Sequence, residues 1–425
     1  MARCVTAPSL TIAVLASILA VLALPAHAQE PTAAEWPCFH GPRRDNRSSE
    51  TGLLKKWPEG GPRRLWTATG LGKGYSSVSI AGGTLFTAGM RDGQTYVVAL
   101  GLDGRPKWQA ANGRSWVSRM RHATGYNGAR STPTCDGGRV FHLSETGSLA
   151  CLEAATGKPV WRLGLFKEFD AATPKYGLAE SVLIDGQRLI CSPGGTKGQM
   201  VCLDKTTGKL IWACTGVPGS QAYCSPVIAQ LAGVRQVLSM TSRAVFGADI
   251  ATGKLLWHAQ LANARENNVA DPVPHSGHVY ASSGYGRGSI LVRLAAAADG
   301  VAATTAWTSK LLDNHHGGVV RLGGHLYGAG HSAKGWFCLD FMTGKPAWNA
   351  PGKGSLTYAD GMLYCLDERG TLSLVEATPK AHRPVSSFRV PSGGRGLYWA
   401  HPVVCGGRLY IRHDDKLFAY DIRAR

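Results

Sequence analysis

Short apolar segments separated by turn residues recur along most of the chain. Four of them lie between Trp66 and Trp108, namely Tyr75 to Ile80, Thr84 to Ala88, Tyr96 to Leu100 and Pro106 to Gln109. Each has the length of a β-strand, and glycine, with 54 copies in the chain, is frequent in the turns. No stretch after the first 28 residues keeps a helical period of 3.6. The pattern therefore predicts an all-β protein.

One hairpin motif is repeated among these segments. In its clearest copy, Asp204 is followed by the turn Thr207-Gly208-Lys209 and then by a strand containing Trp212, eight positions after the acid. The glycine supplies the positive φ that such a turn needs. Three further copies end at Trp161, Trp257 and Trp348, and looser copies end at Trp108 and Trp307. A repeat of this period predicts an array of similar structural units.

Counting strands gives eight units. Four strands, A to D, fit into each of the seven intervals that end at Trp108, Trp161, Trp212, Trp257, Trp307, Trp348 and Phe388. The intervals have the ~40–50 residues of propeller blades. Only three strands remain after Phe388, whereas Leu65-Trp66 is a D strand with no blade before it. The N-terminal strand therefore completes the last blade and leaves no open edge. We predict one eight-bladed β-propeller over residues 63–425, with four antiparallel strands in each blade.

The Asp-x-x-Thr-Gly-Lys-x-x-Trp hairpins resemble the tryptophan-docking repeats of the pyrroloquinoline quinone (PQQ)-like β-propellers. That family includes quinoprotein alcohol dehydrogenases and the outer-membrane assembly protein BamB. The resemblance covers about residues 63–425. It implies a set of tryptophans that dock between blades: Trp66, Trp108, Trp161, Trp212, Trp257, Trp307 and Trp348. Because the motif is a packing device, it implies a fold and not one function.

The first 28 residues have the features of a signal peptide. They start with a basic residue at Arg3, continue with an apolar run from Leu10 to Leu24, and end in the cleavage motif Ala26-His27-Ala28. The apolar run is too short to span a membrane. We expect cleavage after Ala28, no transmembrane span, and a periplasmic or secreted monomer. Residues 29–62 form a Pro/Gly-rich lead-in, which we expect to pack across the outside of the propeller.

The formal net charge is +18. An exported basic protein is attracted to anionic surfaces, so we expect an anionic ligand, an acidic protein or another envelope component as partner, unless the charge only reflects a generally basic proteome. Nucleic acid is not expected, given export and the lack of a known nucleic-acid-binding motif. Cys151, Cys202 and Cys338 occupy one repeated slot, which favours buried thiols over a disulfide framework. A single bridge from Cys191 to Cys202 stays open as an alternative.

In an antiparallel four-stranded blade, the D-to-A and B-to-C loops share one face of the ring. That face is the default ligand site. Its first loop, residues 114–130, is rich in arginine and contains no acid, and guanidinium groups suit carboxylate or phosphate. The predicted ligand-binding residues are Arg119, Arg121, Tyr126, Arg130 and, from the last such loop, His401. The alternative is an exposed, solvated loop.

The resemblance also implies a second kind of site. In quinoprotein dehydrogenases a carboxylate and an Asn hold calcium beside the quinone, and an Asp acts as base; the matching positions here are Glu180, Asn267 and Asp313. His315 and His316 are further catalytic candidates, or structural residues of their loop. Adjacent histidines in an extended segment point to opposite sides, so we expect that they do not easily chelate one metal and that one of them faces the channel. The lack of an adjacent Cys-Cys pair and the short loops depart from the dehydrogenase pattern.

Two functions remain open. The favoured one is a binding or scaffold module of the bacterial cell envelope, which needs only the fold, the charge and the arginine-rich loop. The alternative is a PQQ- and calcium-dependent quinoprotein alcohol dehydrogenase, which needs a complete ligand set and a cover over the cofactor. The sequence favours binding without catalysis.

Overall fold

Eight four-stranded antiparallel sheets form the blades of a β-propeller. The computed structural model describes residues 1–3, 34–118, 125–298 and 300–424. Most of the signal-peptide segment, together with Arg119 and Arg121, lies outside the described residues. The predicted all-β fold with eight blades is confirmed.

In seven blades the strands run in chain order from A at the channel to D at the rim, and in the eighth the D strand is the N-terminal strand. The A strands are β2 (Ser79–Ala81), β6 (Thr134–Asp136), β10 (Leu183–Asp185), β14 (Val227–Leu231), β18 (Val273–His275), β22 (Val319–Leu322), β26 (Gly354–Ala359) and β30 (Val403–Cys405). The B strands are β3 (Thr84–Arg91), β7 (Arg139–Leu143), β11 (Arg188–Cys191), β15 (Val234–Met240), β19 (His278–Ser283), β23 (His325–Ala329), β27 (Met362–Asp367) and β31 (Arg408–His413). The C strands are β4 (Gln94–Gly101), β8 (Ser148–Glu153), β12 (Met200–Asp204), β16 (Ala244–Asp249), β20 (Gly288–Ala297), β24 (Gly335–Asp340), β28 (Thr371–Glu376) and β32 (Lys416–Asp421). The D strands are β5 (Pro106–Arg114), β9 (Pro159–Gly164), β13 (Leu210–Cys214), β17 (Leu255–Gln260), β21 (Gly300–Ser309), β25 (Pro346–Pro351), β29 (Pro384–Arg389) and β1 (Arg64–Ala68). One short helix, α1, spans Leu165–Glu168.

The N-terminal strand closes the ring. β1 pairs antiparallel with β32, and Trp66 lies opposite Ala419. β1 is therefore the outer strand of the eighth blade, whose other strands come from the end of the chain. Apolar side chains of this blade, among them Leu417, pack against Leu85 and Leu100 of the first blade. The two ends of the chain thus meet in one sheet, and the predicted closure is confirmed.

Tryptophans connect most blades to the next one. The indole Nε1 donates to a backbone carbonyl of the following blade at 2.8–3.2 Å in Trp66, Trp108, Trp161, Trp212, Trp307 and Trp348. Except at Trp348, whose next turn has no glycine, the ring also covers the glycine of the next blade's turn. A Cβ built on Gly208, for example, would lie 3.0 Å from the Trp161 ring. Gly208 therefore has two roles. It adopts the positive φ of 71° that the turn requires, and its lack of a Cβ leaves room for the indole.

Two blades depart from this pattern. Trp257 is buried between blades, but its Nε1 donates to Gln236 Oε1 of its own blade at 2.7 Å. The following blade replaces the Thr-Gly-Lys turn by the long hairpin of β20 and β21, so it offers no equivalent carbonyl. The seventh blade ends in Phe388, whose ring packs edge-on against Trp57 with 5.8 Å between centroids. A tryptophan from the lead-in thus supports the position where the repeat has none.

Residues 36–48, which we call the channel plug, lie inside the ring. Trp36 pairs with Ile80 in the A strand of the first blade. Arg44 donates to two carbonyls just before β10 at 2.6 and 2.9 Å, and Asn46 donates to a carbonyl in β26. These contacts reach the innermost strands of three blades around the ring. The expectation that the lead-in packs across the outside is therefore wrong for the plug, which crosses the channel by means of turns at residues such as His40, whose φ is positive.

The ten described cysteines are free and buried. In the ladder between β11 and β12, Cys191 lies opposite Val201 and Cys202 lies opposite Ile190. The two thiols are therefore not in direct register, and the bridge that the sequence left open is not formed. The described cysteines are buried core side chains, as the repeated slot predicts.

Candidate functional site

A cavity of about 410 Å³, which we call the upper cavity, lies at the channel end that the D-to-A loops surround. Every D-to-A connection contributes to its wall, through Tyr75, Arg130, Tyr176, Tyr223, Arg265, His315, Lys353 and Trp399. Three B-to-C loops add Tyr285, His331 and Glu368, and the channel plug adds Phe39 and His40. The face predicted from blade geometry is therefore the face that holds the cavity.

Aromatic rings form one wall of the upper cavity. Tyr126 stacks on Trp399 with 5.1 Å between centroids and 13° between ring planes. Tyr75 and His316 lie against the same indole at 5.2 and 4.8 Å. The indole Nε1 donates to Glu368 at 2.8 Å, which fixes the ring orientation. The resulting flat, rigid wall suits a planar ligand ring.

Arg130 places a positive charge beside this wall. Its Nε donates to the Tyr176 carbonyl at 3.0 Å and its Nη2 to the Tyr126 carbonyl at 2.6 Å. The guanidinium also lies over the Tyr75 ring, 5.4 Å from the centroid. Burial lowers the pKa of Arg130, while Tyr75 and Glu145 act in the opposite direction. In the described part of the chain no carboxylate forms an ion pair with this guanidinium, so an anionic ligand would relieve its desolvation.

Glu368 is the centre of a compact polar cluster in the same cavity. His316 Nε2, Trp399 Nε1 and Lys353 Nζ lie 2.8, 2.8 and 3.0 Å from its Oε1. Burial acts to raise the pKa of Glu368, but the hydrogen bonds and charge of these partners hold it well below its usual range. Glu368 is therefore ionised at neutral pH, and its charge is compensated by Lys353.

A chain of polar groups crosses the floor of the cavity. His401 Nε2 donates to the His316 carbonyl at 2.6 Å, and His401 Nδ1 lies 2.9 Å from His40 Nε2. Burial, followed by the neighbouring His40, lowers the pKa of His401 well below its usual value, so this ring is neutral. Its Nδ1 must then accept a hydrogen bond from the His40 Nε2–H.

The same chain ends at Asp271. His40 Nδ1 lies 3.1 Å from Asp271 Oδ2, and Ser225 N–H donates to Asp271 Oδ1 at 2.6 Å. The His40 ring thus lies between His401 and Asp271 and connects the two.

Both adjacent histidines line the upper cavity, so the prediction that they point to opposite sides is wrong. Their loop bends at residues 315–317 and is not extended, and the two rings lie at 5.5 Å in a T-shaped arrangement. Burial lowers the pKa of His315, of His316 and of the nearby His331. These neutral imidazoles are available as hydrogen-bond partners for a ligand.

The residues that the dehydrogenase resemblance assigns are not brought together. Asn267 lines the upper cavity, whereas Glu180 and Asp313 do not. Both oxygens of Glu180 face the Ser192 N–H at 3.0 Å, and burial raises the pKa of Glu180 to about 8, which keeps it protonated at neutral pH. The Asp313 carboxylate accepts backbone N–H groups from two loops, including that of His331 at 2.8 Å. Calcium needs several available oxygens, so this set does not fit a calcium ion beside a quinone.

Sequence reasoning found only part of the site. Of the predicted ligand-binding residues, Tyr126, Arg130 and His401 line the cavity, and Arg119 and Arg121 lie outside the described residues. The residues missed are His40, Arg265, Tyr285, His331, Lys353, Glu368 and Trp399. Most of them lie in D-to-A or B-to-C loops, so the blade count alone could have placed them on this face. His40 had no such signal, because it belongs to the channel plug.

The comparisons with solved structures show the fold. BamB from Moraxella catarrhalis matches with a TM-score of 0.57 and 17% identity, over 85% of this chain and 98% of that chain. Quinohemoprotein alcohol dehydrogenase from Comamonas testosteroni matches with a TM-score of 0.61 and 12% identity, over 92% of this chain and 80% of that chain. The computationally designed Ika8 protein matches with a TM-score of 0.59 and 11% identity, over 85% and 100%. No curated protein matches the chain.

Two findings remain. Among the residues that the structure describes, no helix is long and apolar enough to cross a lipid bilayer. The family model described as outer membrane protein assembly factor BamB matches residues 93–350, which is more than half of the chain and extends from β4 to β25. The chain therefore belongs to this BamB-like family of PQQ-like β-propellers.

Proposed function

We propose that the protein is an exported binding module of the bacterial cell envelope, and that its upper cavity holds a small, planar, anionic ligand. The observation that carries this proposal is the stacked wall of Tyr126 and Trp399 with the Arg130 guanidinium beside it. Aromatic faces bind flat rings, and a partly desolvated guanidinium binds carboxylate or phosphate strongly.

The charge balance of the cavity supports an anion. Asp271 Oδ2 lies 3.1 Å from His40 Nδ1, and Glu368 is paired with Lys353 at 3.0 Å. Both carboxylates thus have their partners in the cavity wall, while Arg130 and Arg265 have no acidic partner among the described residues. Arg265 is exposed, and its guanidinium lies over the Tyr285 ring at 5.8 Å. The two arginines leave a surplus of positive charge that a ligand carboxylate or phosphate would neutralise.

Export and an envelope role rest on other support. The N-terminal segment has the composition of a signal peptide, and membership in a family described as an outer membrane protein assembly factor favours the periplasm. The net charge of +18 favours an acidic protein or anionic envelope component as a further partner. The protein would then act as a scaffold that couples small-ligand binding to the envelope.

The test is calorimetric titration of the mature protein with PQQ as probe, because PQQ is planar and carries three carboxylates. Its trimethyl ester has nearly the same ring shape without the charges and is the matched control ligand. We expect PQQ to bind at least tenfold more tightly than the ester. Arg130→Gln should weaken PQQ binding tenfold or more, since a charged hydrogen bond contributes about 1.5–3 kcal/mol. Trp399→Leu should weaken both ligands, because it removes the wall that both contact.

Arg293→Gln is the control variant. Arg293 is exposed on β20, away from the cavity, and its loss changes the net charge by the same amount. Equal affinity for acid and ester, equal loss in Arg293→Gln and Arg130→Gln, or no heat with PQQ would each contradict the proposal. Binding should persist in a chelator, since the site as described needs no calcium.

The alternative function is a PQQ- and calcium-dependent alcohol dehydrogenase. The placement of Glu180 and Asp313 away from the cavity does not favour it. Dye-linked alcohol oxidation in the presence of PQQ and calcium, abolished by Asp313→Ala in a variant that still melts cooperatively, would establish that function in place of simple binding.

A further inference from the structure

A second cavity, of about 200 Å³, lies below the channel plug. The A strands run away from the D-to-A loops, so residues later in each strand lie further along the channel. The upper cavity is lined by Ser225 and Gly318, whereas the second cavity is lined by residues that follow them, Val227 and Val319. It therefore lies nearer the opposite face of the ring. His40 and Asp271 line both cavities and separate them.

Arginines dominate the second cavity, which we call the arginine pocket. Its wall contains Arg43, Arg44, Arg47 and Arg321, but among the described residues only two carboxylates, Asp45 and Asp271. Asp45 is shared by Arg43 at 3.1 Å and Arg47 at 3.9 Å. Asp271 Oδ2 lies 3.1 Å from His40 Nδ1. Two carboxylates thus stand against four guanidinium groups, so at least two positive charges are uncompensated within one small pocket.

The pocket is built into the fold and is not a group of loose surface side chains. Arg44 is 7% exposed, and its two terminal nitrogens donate to the Val182 and Ser181 carbonyls at 2.9 and 2.6 Å. Its Nε, like that of Arg47, is buried with no hydrogen-bond partner in the described chain. Burying an unpaired charged donor is costly, so these atoms point to a missing acceptor.

The arginines also repel one another. Burial lowers the pKa of Arg321, and the neighbouring Arg47 lowers it further, while Asp45 acts in the opposite direction. The Arg47 guanidinium is held over the Tyr358 ring, 5.6 Å from its centroid, so it cannot simply turn into solvent without losing this contact. A fold that holds four like charges around a cavity is stabilised by any anion that enters it.

We propose that the arginine pocket binds a phosphoryl group. A surplus of two to three positive charges matches the charge of a phosphate dianion, and guanidinium forks match its oxygens. The volume exceeds that of one phosphate, so the pocket also accommodates a small phosphomonoester. This site is separate from the upper cavity and does not depend on the ligand proposed there.

The test is titration of the mature protein in phosphate-free buffer with inorganic phosphate, glycerol 3-phosphate and succinate. The first two distinguish a free phosphate from a phosphomonoester, and succinate is the dicarboxylate control. We expect both phosphates to bind more tightly than succinate, with an affinity that falls as salt rises. Arg47→Gln and Arg321→Gln should each weaken phosphate binding about tenfold or more.

Two controls and one further pocket variant make the result specific. Arg105→Gln removes an equal charge from a side chain that is 88% exposed and distant from the pocket, and it should leave phosphate affinity unchanged. Trp399→Leu should also leave it unchanged, which separates this site from the upper cavity. Arg43→Gln, at a side chain that is 54% exposed, tests the pocket where folding is least at risk, and we expect a several-fold loss.

The proposal is overturned by any of three results. These are no phosphate binding at low salt, succinate binding as tight as phosphate, or equal losses of affinity in Arg321→Gln and Arg105→Gln. An unchanged affinity in all three pocket variants would likewise show that any phosphate binds elsewhere on this basic protein.

Discussion

Glu180→Gln tests whether the carboxyl group behind the upper cavity is held neutral. Glu180 is 1% exposed, and its recorded hydrogen bonds come from a single donor, the Ser192 N–H. Burial is the largest influence and raises the pKa of Glu180 to about 8, although the Ser192 hydrogen bonds and Arg44 act to lower it. In the unfolded chain the pKa of a glutamate is about 4.3. Between these two values the folded protein binds one more proton than the unfolded chain.

That proton difference fixes the sign and size of the effect. Stability falls with pH wherever the folded state binds more protons, so the contribution of Glu180 is fully present below about pH 4.3 and is lost as the pH rises through about 8. Between pH 5 and pH 8 the loss is on the order of 3 kcal/mol, at about 1.4 kcal/mol for each unit of pKa difference. Glutamine does not titrate, so the variant escapes this loss.

The assay is urea unfolding of wild type and Glu180→Gln at pH 5, 6.5 and 8. The stability of wild type relative to the variant should fall by about 3 kcal/mol across this range. Any constant difference between an amide and a carboxylic acid cancels in this comparison. Glu153→Gln, at an exposed glutamate, is the control and should show no such change. Parallel pH profiles for wild type and Glu180→Gln would refute the reasoning and return Glu180 to the list of ionised candidate ligands.

The remaining predictions concern packing and are measured by the same unfolding assay. Trp212→Ala should cost about 3–5 kcal/mol, because Trp212 is 7% exposed, while Ile211→Thr, at the exposed neighbour, should change stability by about 0.5 kcal/mol or less. Gly253→Ala should cost at least about 1–2 kcal/mol, since φ is +75° and the new Cβ would lie 2.5 Å from the Trp212 ring. Arg44→Met should cost about 1–3 kcal/mol, because the buried Ser181 carbonyl loses its side-chain donor, while the Val182 carbonyl keeps the Thr134 hydroxyl. A Trp212→Ala protein as stable as Ile211→Thr would show that the indole does not dock the blades, and an unaffected Arg44→Met would show that the plug is not held by Arg44.

The fold was predictable because the tryptophan-docking motif lies within one short segment and is repeated along the chain. Each acid, turn glycine and tryptophan lies within one hairpin, so the hairpin and its spacing can be counted without knowing any long-range contact. Two contacts that depart from the repeat could not be predicted in this way. The local sequence does not predict that Trp257 bonds to Gln236, because this contact forms where the next blade lacks the Thr-Gly-Lys turn. It also does not predict that Trp57 packs against Phe388, because this contact forms where the seventh blade lacks the repeated tryptophan.

The site was less predictable because its chemistry depends on contacts between segments far apart in sequence. Arg130 and Tyr126 belong to a loop that looks basic by itself, and that loop does line the cavity. His40, in contrast, meets His401 and Asp271 only because the plug enters the channel. Glu180 was a plausible metal ligand by position, yet burial turns it into a neutral acid. The spacing of the repeats does not predict how deeply a site residue is buried, because the channel plug that covers the site is not part of the repeat.

The repeats hold the blades together, whereas the loops and the channel plug line the cavities. The docking contacts lie between the blades and use turns on the opposite side from the D-to-A loops, so the loops can vary without disturbing them. Each of the eight connections places at least one side chain at the upper cavity, such as Arg130 or Trp399. A substitution in one of these connections changes the wall of the upper cavity and leaves the inter-blade packing intact. The plug adds His40 to the upper cavity and arginines to the arginine pocket, so the channel contains two separate cavities.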